Sequence, residues 1–490
     1  MRRKIILCVA AVLFAHTVAA AVGQQIVAPS PAAERRVKEY VALVNSGDRK
    51  AARSYVEQNL TPAALARVPP PGRVDTVSAL HDSTRGVEVH SIREPKPGQV
   101  EATLRSRLAG EWWLLTLFLE PQTPHRIERL GMGLLPAPPD GQRDAKKLSD
   151  EGIARDLDSY LRKVSEADAF SGAVLLAKDG RVIFEKAYGD ANKDFGAPNR
   201  VDTKFNLGSM NKMFTAVAIA QLAEAGKLSF DDPLAKFLPD FTDKESAAKI
   251  RIKHLLTHTS GLGSYFNQQF MEGSRARFRT VDDFMELAKG ETPAFEPGTK
   301  WQYSNTGFLL LGKVVEKVTG QSYYDYVRER IFKPAGMTNT DSYDLDLVNP
   351  NLAVGYQKEY TDAGVRHRNN IFLHVIRGGP AGGGYSTVGD LHRFATALRS
   401  GKLVSEASAR TLLGPKPELN SPEYGYGFGV SPERAIAGHN GGFVGISANL
   451  DMFLDSGYTA VVLSNYGGAA DRAVAKIQQL VRAGERARSN

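Results

Sequence analysis

Apolar positions recur along the chain at two spacings, and the switches between them mark out its parts. Val37, Tyr40, Val41 and Val44 fall at helical intervals and stop at the turn sequence Asn45-Ser46-Gly47. Ala51, Ala52, Tyr55 and Val56 predict a second, shorter helix, and Pro69-Pro70-Pro71-Gly72 then breaks the chain. Beyond it the period drops to two. Val100, Ala102, Leu104, Ser106 and Leu108 alternate with Glu101, Thr103, Arg105 and Arg107, and strands are predicted at 87–92, 100–108, 112–119 and 126–130. Helices followed by a run of antiparallel strands make a small α+β domain over 30–134. Pro136-Ala-Pro-Pro-Asp-Gly-Gln142 predicts a linker over 135–147.

Residues 148–485 read as one larger domain. A helix at 153–165 precedes a hairpin, Gly172 to Ala187, with Asp179-Gly180 as its two-residue turn. Met210, Met213, Phe214, Val217, Ala218 and Leu222 then trace one buried helical face ending near Gly226. A mainly helical middle follows. Strands return around 436–439, 443–450 and 458–463, and Val474, Ile477 and Val481 mark a last helix. Strands at both ends with helices between predict an antiparallel sheet built from the two ends of the domain, flanked by helices, with a helical insertion beside it. The fold class is α+β.

Composition places the chain among globular proteins, at 42% hydrophobic and 24% charged residues, and 490 residues are too many for one core. Of the net charge of +8, Arg2, Arg3 and Lys4 supply three, and the remaining cations are interspersed with acids. No basic stripe interleaved with aromatics is present, which disfavours nucleic-acid binding. Residues 1–23 read as a secretory leader: the basic start, an apolar run from Ile5 to Ala15, and the small residues Val18-Ala19-Ala20-Ala21. An uncleaved anchor is the alternative, but the run is too short to span a bilayer, and no later stretch is long enough. The only cysteine, Cys8, lies inside the apolar run and not at a lipid-attachment position. A mature chain without it is compatible with export to the periplasm or medium, and has no disulfide, thiolate metal site or cysteine nucleophile.

Candidate chemistry begins at Ser209 and Lys212 in Phe205-Asn-Leu-Gly-Ser209-Met-Asn-Lys212. Three positions apart near a helix start, they share a face. A serine hydroxyl needs a base, and a lysine serves if burial lowers its pKa. The helix start also offers backbone N–H groups to an oxyanion. The same spacing recurs at Ser246-Ala-Ala-Lys249, read as a solvated segment. A second group is Tyr303-Ser304-Asn305, on a loop ahead of an apolar helix, where side chains reach into clefts. Tyr303 acts as a base only if a cation holds it ionised; the plain reading is a buried, hydrogen-bonded tyrosine, and Tyr265-Phe-Asn267 repeats the pattern. The third is His439-Asn440-Gly441-Gly442, where glycines at a strand start admit a ligand and the Gly442 amide can pair with that of Ser209 as an oxyanion hole. An ordinary hydrogen-bonded histidine is the plain reading of His439. His254 and His258 lack a third metal ligand, Thr387-Val-Gly-Asp390 reads as a capping box, and no serine is flanked by glycines as in a nucleophile elbow.

These segments in this order, with Leu255-Leu-Thr-His-Thr-Ser-Gly-Leu262, Ile331-Phe-Lys-Pro-Ala-Gly-Met337 and Ala381-Gly-Gly-Gly-Tyr-Ser-Thr387, resemble the serine β-lactamase-like superfamily over residues 153–481. The match is to the branch of class C β-lactamases, D-Ala-D-Ala carboxypeptidase B, esterases and D-aminopeptidases. The resemblance implies Ser209 as nucleophile, Lys212 and Tyr303 as the proton-handling pair, with Tyr303, supported by Lys212, expected to remove the Ser209 proton, and Asn305, His439 and Gly441 at the substrate. It further implies the Ser209 and Gly442 amides as the oxyanion hole, with no metal or organic cofactor. Many members carry Lys-Thr-Gly where this chain has His439-Asn440-Gly441, and a histidine is mostly neutral near pH 7. That departure resembles the esterase and D-aminopeptidase members. The expectation is a secreted or periplasmic serine hydrolase acting on a small-molecule or peptide ester or amide, with a β-lactamase, a carboxypeptidase or a non-catalytic peptidoglycan sensor as alternatives. The opening of the chain resembles the cone-shaped fold of the nuclear transport factor and SnoaL-like family. Oligomeric state is left open.

Overall fold

The computed structural model describes residues 28–135 and 148–485. The leader expected over 1–23 and the linker expected over 135–147, save Leu135, lie outside the described residues. The chain divides into two compact units. One holds the described residues up to Ala169, with Lys358–Arg368 and the chain from Ala475; the other holds Phe170–Gln357 and Asn369–Val474.

In the first unit, helices Pro31–Ser46 and Arg49–Asn59 arise where the spacing predicts them. Ser30 and Asp48 cap their first turns, and Gly47 closes the first helix at φ 63°, a left-handed conformation that suits glycine. The proline run behaves differently from expectation. It opens the helix Pro70–Thr84, because a proline in the first turn removes only an N–H that has no helical partner there. Four strands, Val87–Lys96, Gln99–Ser106, Trp112–Leu119 and Ile127–Leu135, then pair in sequence order as an antiparallel meander. Val100, Ala102 and Leu104 are wholly buried on one face of it, as the alternation requires.

The second unit is organised on a six-stranded antiparallel sheet. Its order runs Gly429–Ser431, Ile436–Phe443, Ile446–Phe453, Tyr458–Ser464, Gly172–Lys178, Arg181–Tyr188. The two ends of the domain thus meet in one sheet, at the pairing of Tyr458–Ser464 with Gly172–Lys178. Both of these strands are buried along their whole length, so they read as nearly continuous apolar runs. Asp179 and Gly180 both have positive φ, the two-residue turn that Asp-Gly favours. Helix Asn211–Glu224 is buried nearly throughout, and Asn305–Thr319 packs within the same core through Phe308, Leu309, Leu311 and Val315. An apolar helix of this kind sits inside the domain and holds its first turn rigidly. Ser246 and Lys249 fall in a separate short helix, Lys244–Lys249, with Lys249 paired to Glu245 and Glu296 at the surface. Thr387 caps Val388–Arg399 as expected, accepting from Asp390 N–H at 3.1 Å, while the Asp390 carboxylate turns to Thr340. Among the described residues no helix is long and apolar enough to cross a membrane.

Candidate active site

Three segments converge on Ser209. The first is its own. Asn206 Oδ1 accepts the Gly208 N–H at 2.9 Å, and Gly208 takes φ 50° to enter the turn Gly208–Met210, which runs straight into helix Asn211–Glu224. The second is the glycine-rich stretch after Gly379. Gly383 N–H donates to Gly208 O at 3.0 Å, Leu207 N–H to Gly384 O at 2.7 Å, and Asn211 Nδ2 to Gly379 O at 3.1 Å. The third is strand Ile436–Phe443, which lies so close that a Cβ on Gly441 would stand 1.9 Å from Leu207 O and 3.0 Å from Ser209 N. Only a residue without a side chain fits there. A Cβ on Gly208 would likewise meet Gly442 N at 2.7 Å, so the Gly442 amide adjoins the nucleophile's turn. Strand Gly429–Ser431 covers strand Ile436–Phe443 only over Ile436–Gly438. From His439 onward that edge has no ladder partner among the described residues, which leaves alternate N–H groups open to a ligand.

Lys212 is completely buried one turn on from Ser209. Its Nζ donates to Asn305 Oδ1 at 2.8 Å and to Ala381 O at 2.6 Å, and lies 3.3 Å from Ser209 Oγ. Burial drives its pKa well below the ordinary 10.5. A free amine has two N–H bonds and one lone pair. With both N–H bonds spent on Asn305 and Ala381, the lone pair is left for the Ser209 hydroxyl.

Tyr303 sits over Lys212, its ring centroid 4.8 Å from Nζ. Burial pushes its phenol pKa up, and a hydrogen bond with the Ser209 side chain opposes that only in part. The two shifts run in opposite directions and favour the uncharged pair, a phenol beside an amine. His258 fixes this arrangement. Its carbonyl accepts from Gln302 N–H at 2.8 Å, its Nδ1 accepts from Ser304 N–H at 3.0 Å, and its ring lies 4.2 Å from that of Tyr303. With Nδ1 an acceptor, the proton is on Nε2, and burial holds the ring neutral. His258, considered above only as half of a metal pair, is a positioning residue. His254 faces elsewhere and takes Arg251 N–H on Nδ1 at 3.2 Å.

Asn305 begins its helix behind the cap Ser304. It accepts from Lys212 and donates from Nδ2 to Ser264 Oγ at 3.1 Å, so its amide is oriented from both ends. His439 is 5% exposed. Its Nδ1–H donates to Asn440 O, and its Nε2 accepts from the Tyr424 hydroxyl at 2.8 Å. Burial first, then nearby Lys212, lowers its pKa to about 3. Tyr424 and Ser264 carry no sequence signal of their own: each is a single polar residue in a loop, outside any periodic pattern. Ala381 contributes through its backbone carbonyl, which no side-chain motif reveals.

Residues 157–484 match the family model described as Beta-lactamase. The chain belongs to the beta-lactamase family. It is accordingly a serine hydrolase. Penicillin-binding protein 4* of Bacillus subtilis (strain 168) is 32% identical over 326 residues, covering 63% of this chain and 71% of that protein. The teichoic acid D-alanine hydrolase of Staphylococcus aureus is 29% identical over 313 residues, covering 64% and 73%. Among solved structures, the penicillin binding protein from Bacillus halodurans superposes with a TM-score of 0.58 at 29% identity, over 68% of this chain and 100% of that one.

Proposed function

We propose that this beta-lactamase-family chain is a secreted or periplasmic hydrolase that cleaves a carboxylic ester or amide through an acyl-enzyme on Ser209. The observation that carries the reading is the set of three contacts at Lys212 Nζ, which aims a lone pair at Ser209 Oγ. Lys212, rather than Tyr303 as expected from the sequence, takes the Ser209 proton as the hydroxyl attacks the carbonyl, because burial favours the phenol of Tyr303 and the free amine of Lys212. Tyr303, held as a phenol between Lys212 and Ser209, relays that proton to the departing group. The carbonyl oxygen lies against the Ser209 and Gly442 amides, a preorganised pair worth about 2.7–4 kcal/mol per donor in hydrolases that use such a hole. Water then attacks the acyl carbonyl as Lys212 accepts its proton, and Lys212 returns that proton to Ser209 Oγ as the acyl–oxygen bond breaks and the acid is released. Asn305 orients Lys212 on one side and meets the substrate on the other. His439 acts through position: with both ring nitrogens engaged, it stiffens the strand that carries Gly441 and Gly442.

A neutral histidine offers no permanent charge to a substrate carboxylate, which supports an ester or amide substrate over a penicillin. The D-alanine hydrolase among the relatives supports D-alanyl esters and D-amino acid amides as the first to try. For residues 30–134 the order of helices followed by a meander supports a separate domain of the cone type. The test is turnover of chromogenic esters and D-amino acid amides by the protein and by Ser209→Ala. Many equivalents of product from the first and none from the second are expected. A single equivalent from the native protein would instead identify a sensor that acylates and stops.

A further inference from the structure

Two aromatic rings meet beside the segments that carry the site, and neither has a role in the mechanism above. Strand residues alternate between faces, so 439, 441 and 443 share one. The missing side chain of Gly441 would point at Leu207 O and Ser209 N, which identifies that face as the one turned to the nucleophile. Phe443 therefore projects on the Ser209 side, one residue past the Gly442 amide. Phe266 comes from the opposite wall, two residues past Ser264, whose hydroxyl receives Asn305 Nδ2. The rings stand 6.0 Å apart, centroid to centroid, and both are half-buried. Phe266 is packed against Phe270 at 4.7 Å and Tyr265 at 4.9 Å, which holds its ring in place.

We propose that Phe266 and Phe443 form an apolar subsite for the group carried on the scissile carbonyl, selecting substrates with an uncharged aliphatic or aromatic acyl side chain. The proposal rests on Ser209 as nucleophile. Once the carbonyl oxygen is at the Gly442 amide, the leaving group has to face Lys212 and Tyr303 to be protonated. The acyl substituent is then the part that comes against Phe443. Lys212 and His439 have their polar atoms committed to protein partners, and Arg275, stacked on Phe270 at 4.0 Å, donates to the Leu373, Gly273 and Met271 carbonyls, so the wall presents rings and not a free charge. Half-buried aromatic rings bind such groups by area and by edge contacts.

The test compares p-nitrophenyl acetate with p-nitrophenyl phenylacetate, which share a leaving group and differ only in the acyl side chain. The native protein is expected to prefer phenylacetate by about tenfold or more in kcat/KM, the size of discrimination an apolar pocket gives. Phe443→Ala and Phe266→Ala should each bring the preference toward unity while acetate turnover and labelling by a fluorophosphonate stay near the native rate. Phe443→Leu, which keeps apolar bulk, should restore part of it. An unchanged preference in folded variants, or an equal loss on both esters, overturns the subsite. Failure of the underlying mechanism is distinct, since the native protein would then hydrolyse neither ester and take no label.

Discussion

Replacing Gly441 with alanine adds a single methyl group, and the geometry gives its consequence directly. The new Cβ would lie 1.9 Å from Leu207 O and 2.9 Å from Leu207 C. Real Cβ contacts are essentially never under 3.0 Å, so strand Ile436–Phe443 and the Leu207–Ser209 turn must part by at least 3.0 − 1.9 = 1.1 Å. Both clashing atoms are backbone, and no rotamer change relieves them. A displacement of about 1 Å between a nucleophile and its oxyanion donors costs on the order of 10²-fold in rate. The overpacking itself costs about 1–3 kcal/mol of stability. The neighbouring substitution Gly442→Ala is the control: its Cβ meets only Ile446 O at 3.8 Å, an ordinary contact. The rate of fluorophosphonate labelling, read alongside thermal unfolding, separates the two effects. Gly441→Ala is expected to label about 10²-fold more slowly while still folded, and Gly442→Ala within a few-fold of native. Native-rate labelling of Gly441→Ala, or equal damage from both, would refute the geometry on which the oxyanion hole is argued.

Two further outcomes are expected. The active form of Lys212 is the free amine, so turnover rises with pH through its folded pKa and levels off above it. Burial places that limb well below 10.5, and His439, lowered to about 3, adds none near 6.5. A pH–kcat/KM profile of native protein and of His439→Gln checks both statements. Tyr424→Phe removes the donor to His439 Nε2 and leaves that nitrogen buried and unpaired, a loss of about 1–3 kcal/mol by denaturant unfolding. Its rate should fall through strand position alone, with the pH limb unmoved.

Much of this architecture is legible in the amino-acid order because the elements concerned are long and periodic. The alternation from Val100 to Leu104 and the buried face from Met210 to Leu222 each have a single compatible structure, and Asp179-Gly180 fixes its own turn. Local ambiguity accounts for the misses. Three successive prolines read as a break, yet a first helical turn tolerates them, so Pro70–Thr84 was hidden. The glycines of His439-Asn440-Gly441-Gly442 suggest a strand start; they lie near the end of Ile436–Phe443, where Gly441 permits close approach to Leu207 and Ser209. The strand that follows is Ile446–Phe453, displaced from the expected 443–450 because the chain turns at Val444-Gly445, with Gly445 at φ 70°. At the site, Ser209, Lys212, Tyr303 and Asn305 are singled out by the ordered segments that resemble the family, since their spacings alone recur at Ser246/Lys249 and Tyr265/Asn267. What holds them is not: His258, Tyr424, Ser264 and the Ala381 carbonyl act through contacts between residues far apart in the chain, and single loop residues leave no period to detect.

The most direct measurement is intact mass after incubation with a fluorophosphonate, for the purified protein and for Ser209→Ala. A nucleophile whose proton can pass to Lys212, 3.3 Å away, attacks the phosphorus and keeps the adduct. One adduct on the native protein and none on the variant is the expected result. A folded native protein that takes no adduct, or a variant that takes as many as the native, would contradict the assignment of Ser209.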